Sequence, residues 1–379
     1  AMEQSEELPN PGLTVTFLIR MEEVTDRVLE GIDENTPEKE RNRIVDENIV
    51  TVKEEAIGET HYEAVVKPFF YGNRYFLFVN EVFKDVRLVG APPSNIGKFG
   101  GDTDNWMWPR HTGDFSVFRI YADTSNMPAE YSENNVPYSP RKHFKISLQG
   151  IEENDFTFVF GYPGSTESYI PSYGVDMHVN VVNPIRIGLR EKRIDVFKSY
   201  MNKDPEIRIQ YAAKQAGISN GWKKWIGENR GIRRLNTIEE KQEFEKAFTE
   251  WVDASGQRKE KYGGLLSAFE LAYSNLTNVN YHSTYLREAG LGVEAIRFAR
   301  KFEGLVEASK NKEIEDDAIY EIVEKLIKSS EAFYKNYRTE IDRDVFAALM
   351  AEYDREISLE NQPEEFAEML EKEDGDYTA

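Results

Sequence analysis

The chain has 379 residues, 40% hydrophobic and 12% aromatic, enough to build cores for two or three domains. Its formal charge of −21 repels phosphate backbones, which argues against nucleic acid as a partner. It has no cysteine, so disulfides and thiolate chemistry are excluded, and no apolar run approaches the roughly 20 residues that span a bilayer. The opening, Ala1-Met2-Glu3-Gln4, carries no signal peptide and reads as an excised piece as readily as a native terminus.

The first part reads as strands. Leu13, Val15, Phe17 and Ile19 alternate with polar residues at period two. A charged stretch from Met21 to about Glu55, with Val24 and Val28 at helical spacing, predicts a helical excursion. Tyr62 to Phe70 and Arg74 to Val82 are rich in aromatic and β-branched residues, and Tyr71-Gly72-Asn73 between them signals a hairpin. Val86 to Val89 predicts another strand, closed by Ala91-Pro92-Pro93. Further strands are expected at Phe115 to Tyr121, Phe144 to Leu148 and Asp155 to Phe160, the last ending in the turn Gly161-Tyr162-Pro163-Gly164. Beyond about residue 175 the pattern is helical. Thr237-Ile238-Glu239-Glu240 has the form of a capping box before Phe244, Phe248 and Trp251. Ile319, Ile322, Val323, Leu326 and Phe333 mark a second helical face. The fold class expected is α+β, with residues 1–172 as the β part and 173–379 as the helical part.

Residues 94–114 have no clean period and mix glycines with Trp106 and Trp108; long aromatic loops of this kind are often functional. None of the five histidines has metal-ligand spacing, and neither a GxSxG elbow nor a P-loop is present. Asp102, Thr103, Asp104 and Asn105 are similar to the opening of a calcium loop but lack its glycine and closing glutamate, so no metal is expected. Asp114 opens the strand Phe115–Tyr121. A carboxylate there can hold an imidazole in one tautomer, or it can simply cap a turn.

The run Asn105-Trp106-Met107-Trp108-Pro109-Arg110-His111-Thr112-Gly113-Asp114-Phe115-Ser116 resembles the signature of the bacterial serine dipeptidyl-peptidases of the chymotrypsin clan, types 7 and 11. The resemblance continues through Gly161-Tyr162-Pro163-Gly164 and Ala216-Gly217-Ile218-Ser219-Asn220-Gly221-Trp222-Lys223-Lys224-Trp225 and covers most of the chain. It implies Asp114 as the triad aspartate. It also implies that Asn105, Trp106 and Asn220 form the pocket for a peptide's α-ammonium group, where amide oxygens accept its hydrogen bonds. The alternative for Asn220 is a turn or helix-end residue before Gly221. His111 is read as structural, because the family's base histidine comes from an upstream motif that this chain lacks.

The family's nucleophile lies in a Gly-Asn-Ser-Gly-like turn, also missing here; Ser165 is only an imitation. The resemblance therefore implies an interior piece that carries the triad aspartate without its histidine and serine, and that is inactive by itself. It implies part of a chymotrypsin-like double β-barrel with an inserted helical domain, peptide substrates with a free amino end, no cofactor, a periplasmic or cell-surface location, and dimers of the whole protein. Two other readings stand beside it. One is a non-catalytic peptide-binding homologue. The other is a carbohydrate-binding or assembly module using Trp106, Trp108, Trp222 and Trp225 as stacking surfaces.

Overall fold

The computed structural model describes residues 3–33, 35–105, 107, 109, 111–158, 167, 169–310, 316–372 and 377. Helices and sheets are both present. The chain divides into two compact units, residues 1–104 with 111–158, and residues 105–110 with 159–379.

The first unit holds two antiparallel sheets. One has the order β2-β4-β3, with β2 at Val15–Glu23, β3 at Glu63–Phe69 and β4 at Arg74–Phe83. The other has the order β1-β5-β6-β7, from Leu8–Pro9, Asp85–Gly90, Val117–Ala122 and Val136–Pro137. Along β4, Tyr75, Leu77 and Val79 alternate into the core while Phe76 and Phe78 stay half-buried on the opposite face. The covering element is α1, Glu38–Ile57, which presents Val45, Ile49, Val52 and Ala56 on one stripe. Each fully buried valine or leucine here contributes about 1.5–3 kcal/mol.

Strand β2 extends to Glu23 because a bulge between Leu18 and Arg20 resets its register on β4. The helical excursion thus begins only at Thr25, whose Oγ1 accepts a hydrogen bond from the Tyr75 amide at 3.0 Å. The β3–β4 connection is a tight turn at Phe70–Gly72. Gly72 sits at φ 83°, with the Tyr75 hydroxyl 3.2 Å from where a side chain would begin, and Asn73 Nδ2 donates to the Phe70 carbonyl at 2.7 Å.

The second sheet is tied by buried charge. Arg87 donates to Asp85 at 2.8 and 3.0 Å and to the Ser132 carbonyl at 2.9 Å, with its guanidinium 3.7 Å from the centre of the Tyr121 ring. Burial pushes the Asp85 carboxyl up, but the hydrogen bonds from Arg87 and Asn135 outweigh it and hold it below its usual range. Glu7 accepts from Arg119 and from the Tyr121 hydroxyl, each at 2.9 Å, and so fastens β1 to β6.

Two expected strands are not formed. Residues 143–148 and 155–158 pair with nothing among the described residues, and Phe144, Ile146 and Leu148 are 90%, 91% and 97% exposed. Their alternation is real, but an extended segment without a hydrogen-bonding neighbour is not a strand. Residues 159 and 160, and the turn expected at Gly161–Gly164, lie outside the described residues.

The second unit is helical from Ser172 onward. A short helix, Ser172–Met177, runs through a π-turn at His178–Val182 into α2, Asn183–Met201. The 30-residue α3, Pro205–Arg234, starts with Asp204 capping the amides of Glu206 and Ile207 and with Pro205 in the first turn. Then come α4, Thr237–Asp253, and α5, Leu265–Tyr285, which ends in a second π-turn at Leu286–Gly290. Next are α6, Asp316–Tyr334, and α7, Thr339–Glu356. Leu189 and Phe197 of α2, Tyr211 and Ile218 of α3, and Ile341, Val345 and Leu349 of α7 form the core. In α6, Leu326 is buried, and Phe333 stacks on Phe298 at 4.2 Å, as the helical spacing requires.

The capping box at Thr237 is absent. Asn236 occupies the left-handed region, Thr237 is already the first helical residue, and no side chain caps the helix. The first helical hydrogen bond instead runs from the Glu240 amide to the Asn236 carbonyl at 2.9 Å.

Candidate functional site

Asn105 and Asn220 are hydrogen-bonded to each other. Asn105 Nδ2 donates to Asn220 Oδ1 at 2.6 Å, across 115 residues of sequence, within the second unit. Asn220 lies in the middle of α3 with its side chain exposed, which removes the alternative of a turn or helix-end residue. Lys223, three residues on along the same face, reaches the Asn105 carbonyl at 3.4 Å. The pair leaves Asn105 Oδ1 and one lone pair of Asn220 Oδ1 to accept from a cationic donor.

The helix is held there by Arg190 of α2. Its guanidinium makes a two-pronged bond to Glu288, 3.0 Å on each arm, and Nη1 donates to the Ile218 carbonyl at 3.4 Å. Glu288 comes from the second π-turn, a distortion that frequently marks functional positions. On its other side the Arg190 guanidinium lies 4.5 Å from the centre of the Trp225 ring, and Arg186 approaches the same ring at 4.9 Å.

Arg186 and Trp225 border a cavity of about 590 Å³, formed entirely by residues of the second unit. Its floor is set by Asn183, buried at the start of α2. Asn183 Nδ2 donates to Glu228 at 3.1 Å and to Asn229 at 2.8 Å, and Asn229 in turn donates to the Val179 carbonyl at 3.2 Å. That carbonyl belongs to the first π-turn, so the side chain takes up a backbone group on a distorted helix. His178, from the same turn, pairs with Glu167 at 3.1 Å. Burial pushes the Arg186 guanidinium below its ordinary range; the Glu288 charge opposes the shift and the neighbouring Arg190 adds to it.

Asp114 belongs to the first unit. It is exposed, it precedes β6, and it makes no hydrogen bond or ion pair among the described residues. The neighbouring Gly113 amide donates to the Ile96 carbonyl at 3.1 Å and anchors the approach to the strand. His111 is exposed too, its ring edge-on to Phe99 at 6.2 Å. Trp106 lies outside the described residues.

The family model for peptidase S46 matches the whole chain, residues 1–379. The chain belongs to the peptidase S46 family. Within that family, the Asp/Glu-specific dipeptidyl-peptidase of Flavobacterium psychrophilum is 46% identical over 354 residues, covering 93% of this chain and 49% of that protein. Dipeptidyl-peptidase 7 of Porphyromonas gingivalis is 41% identical over 368 residues, covering 97% and 50%. The crystal structure of Porphyromonas endodontalis DPP11 in complex with the dipeptide Arg-Glu matches with a TM-score of 0.79 at 36% identity, over 100% of this chain and 55% of that one. This S46 chain thus spans about half the length of the curated relatives it matches.

Sequence reasoning named the two asparagines, but not Arg186 and Arg190, which meet Trp225, or Glu288, which holds Arg190. A signal for the first two was present. Arg186, Arg190 and Arg193 stand at intervals of four and three, a cationic stripe along one helical face that also carries the core residues Leu189 and Phe197. Glu288 gives no such sign, since a π-turn is not visible in residue pattern.

Proposed function

We propose that this S46 chain serves a serine dipeptidyl-peptidase that releases dipeptides from the free amino ends of peptides. Asn105 and Asn220 hold the substrate's α-ammonium group, the resemblance assigns Trp106 to the same role, and Asp114 orients the base histidine. The observation that carries the reading is the hydrogen bond between the two asparagines. Two amides far apart in sequence converge with acceptor oxygens to spare, and an ammonium group offers three donors to such oxygens without needing a full counter-charge.

The similarity to enzymes named dipeptidyl-peptidases, at up to 46% identity, supports the same reaction here. The sequence offers neither the family's histidine motif nor its serine turn, so in this reading both groups come from outside these 379 residues. The proposal includes the two sheets as part of a chymotrypsin-like double barrel with the helices inserted into it. It also includes export to the periplasm or cell surface, and dimers of the whole protein.

The test is selective binding. A dipeptide with a free amino end should bind this chain at least about tenfold more tightly than its N-acetylated form, because acetylation removes the charged donor. The preference should vanish in Asn220→Ala. Equal binding of the two peptides, or a preference that survives Asn220→Ala, would end the amino-end reading.

A further inference from the structure

Arg186 is a half-buried cation bordering a cavity of about 590 Å³, and it makes no hydrogen bond or ion pair with any described residue. Two carboxylates line the same cavity, yet both are turned to other partners: Glu167 to His178 at 3.1 Å, and Glu228 to Asn183 at 3.1 Å. Lys224 and Lys241 add two further cations to the lining. Three cations stand against two carboxylates among the described lining residues; Lys241 also donates to the Ile170 carbonyl at 2.7 Å, and the chain as a whole carries −21. A local excess of positive charge on so acidic a protein is not set by bulk composition.

The guanidinium is also held in place. Its Cζ lies 4.9 Å from the centre of the Trp225 ring, and the same ring meets Arg190, itself bonded to Glu288. A guanidinium over a ring face, with no N–H bonded to a described residue, offers the planar two-donor edge that matches a carboxylate. Burial disfavours its charge and lowers its pKa, so a bound anion would offset a desolvation cost carried by the folded chain.

We propose that this cavity is a carboxylate-binding site anchored by Arg186, with Lys224 and Lys241 as supporting charges. It lies on the same unit as the asparagine pair, and Lys224 stands one helical turn beyond Asn220. A peptide can supply the carboxylate from an acidic side chain or from its carboxyl end. The proposal does not require the amino-end pocket, and the test is built without it.

The probes are N-acetyl-glutamate amide, which carries only a side-chain carboxylate, N-acetyl-glutamine, which carries only a terminal one, and N-acetyl-glutamine amide, which carries neither. None has a free amine. Calorimetric or NMR titration of this chain should show at least one carboxylate probe binding about tenfold or more tightly than the neutral probe. Whichever probe gains identifies the source of the carboxylate. The gain should disappear in Arg186→Gln and be partly kept in Arg186→Lys, which retains charge but loses the planar fork. Equal binding of all three probes, no binding of any, or a preference that persists in Arg186→Gln overturns the site. Should Arg186→Gln fail to fold, the wild-type comparison and Arg186→Lys still decide.

Discussion

The guanidinium of Arg190 occupies the space where any side chain at Gly221 would begin, and the Trp225 ring closes the same space at 3.4 Å. Position 221 is mid-helix, where glycine costs about 1 kcal/mol relative to alanine. Here the steric demand of Arg190 outweighs helix propensity, because its bond to Glu288 and its stacking on Trp225 leave it little room to yield. Gly221→Ala should therefore destabilise the protein in chemical denaturation. In an Arg190→Ala background the same change should turn stabilising, by about 1 kcal/mol. Additive effects of the two substitutions would show that the contact does not govern the position.

Arg193 is 93% removed from solvent at its place in α2, and its Nε has no hydrogen-bond partner among the described residues. Burial pushes its pKa down to about 10, with the Glu288 charge opposing. The unfolded chain holds that proton to higher pH, so the desolvation penalty is fully present at neutral pH and fades as pH rises above about 10. Arg193→Met should raise stability at pH 7 by about 1 kcal/mol or more, seen as a Tm higher by roughly 2–4 °C per kcal/mol. A lower Tm in that variant would mean that the charge is compensated in the folded state.

Asn183 joins α2 to α3 through Glu228 and Asn229. Asn183→Ala takes the donor from the buried Asn229 Oδ1 and should cost about 1–3 kcal/mol in urea unfolding. Asn183→Asp should cost more at pH 7 than at pH 4, because it sets a carboxylate against Glu228. Identical losses at the two pH values would exclude that electrostatic origin.

Asp114 has no hydrogen-bond or ion-pair partner among the described residues, as expected of a carboxylate reserved for an imidazole. In a protein that carries this chain at the length of its relatives, Asp114→Asn should lower kcat for dipeptide release by about 10⁴ and change KM little, since the amide favours the wrong tautomer. Unfolding behaviour should be unchanged, because the side chain is exposed. Near-normal turnover would remove Asp114 from the triad.

Most local structure was readable in residue pattern because it follows from residue type at short range. The alternation along Arg74–Phe83 gave one face to the core, and Leu326 with its neighbours gave α6 its stripe. Patterning failed where a segment depends on something outside itself. Residues 144–148 alternate like a strand but find no neighbour among the described residues to complete their hydrogen bonds. Thr237 has the residues of a capping box, but the left-handed Asn236 before it shifts the helix start by one position.

The same division runs through the site. Sequence alone named Asn105 and Asn220, since a contiguous motif survives being read one letter at a time. Only tertiary structure brought the two amides to 2.6 Å, set Arg190 and Arg186 over the Trp225 ring, and left the Arg186 guanidinium without a hydrogen-bonded acid among the described residues. Those facts depend on distances across the 115 residues from 105 to 220 and the 98 from 190 to 288. A chain's pattern specifies which groups are present and which face they occupy; the packing of α2, α3 and the second π-turn decides which of them meet.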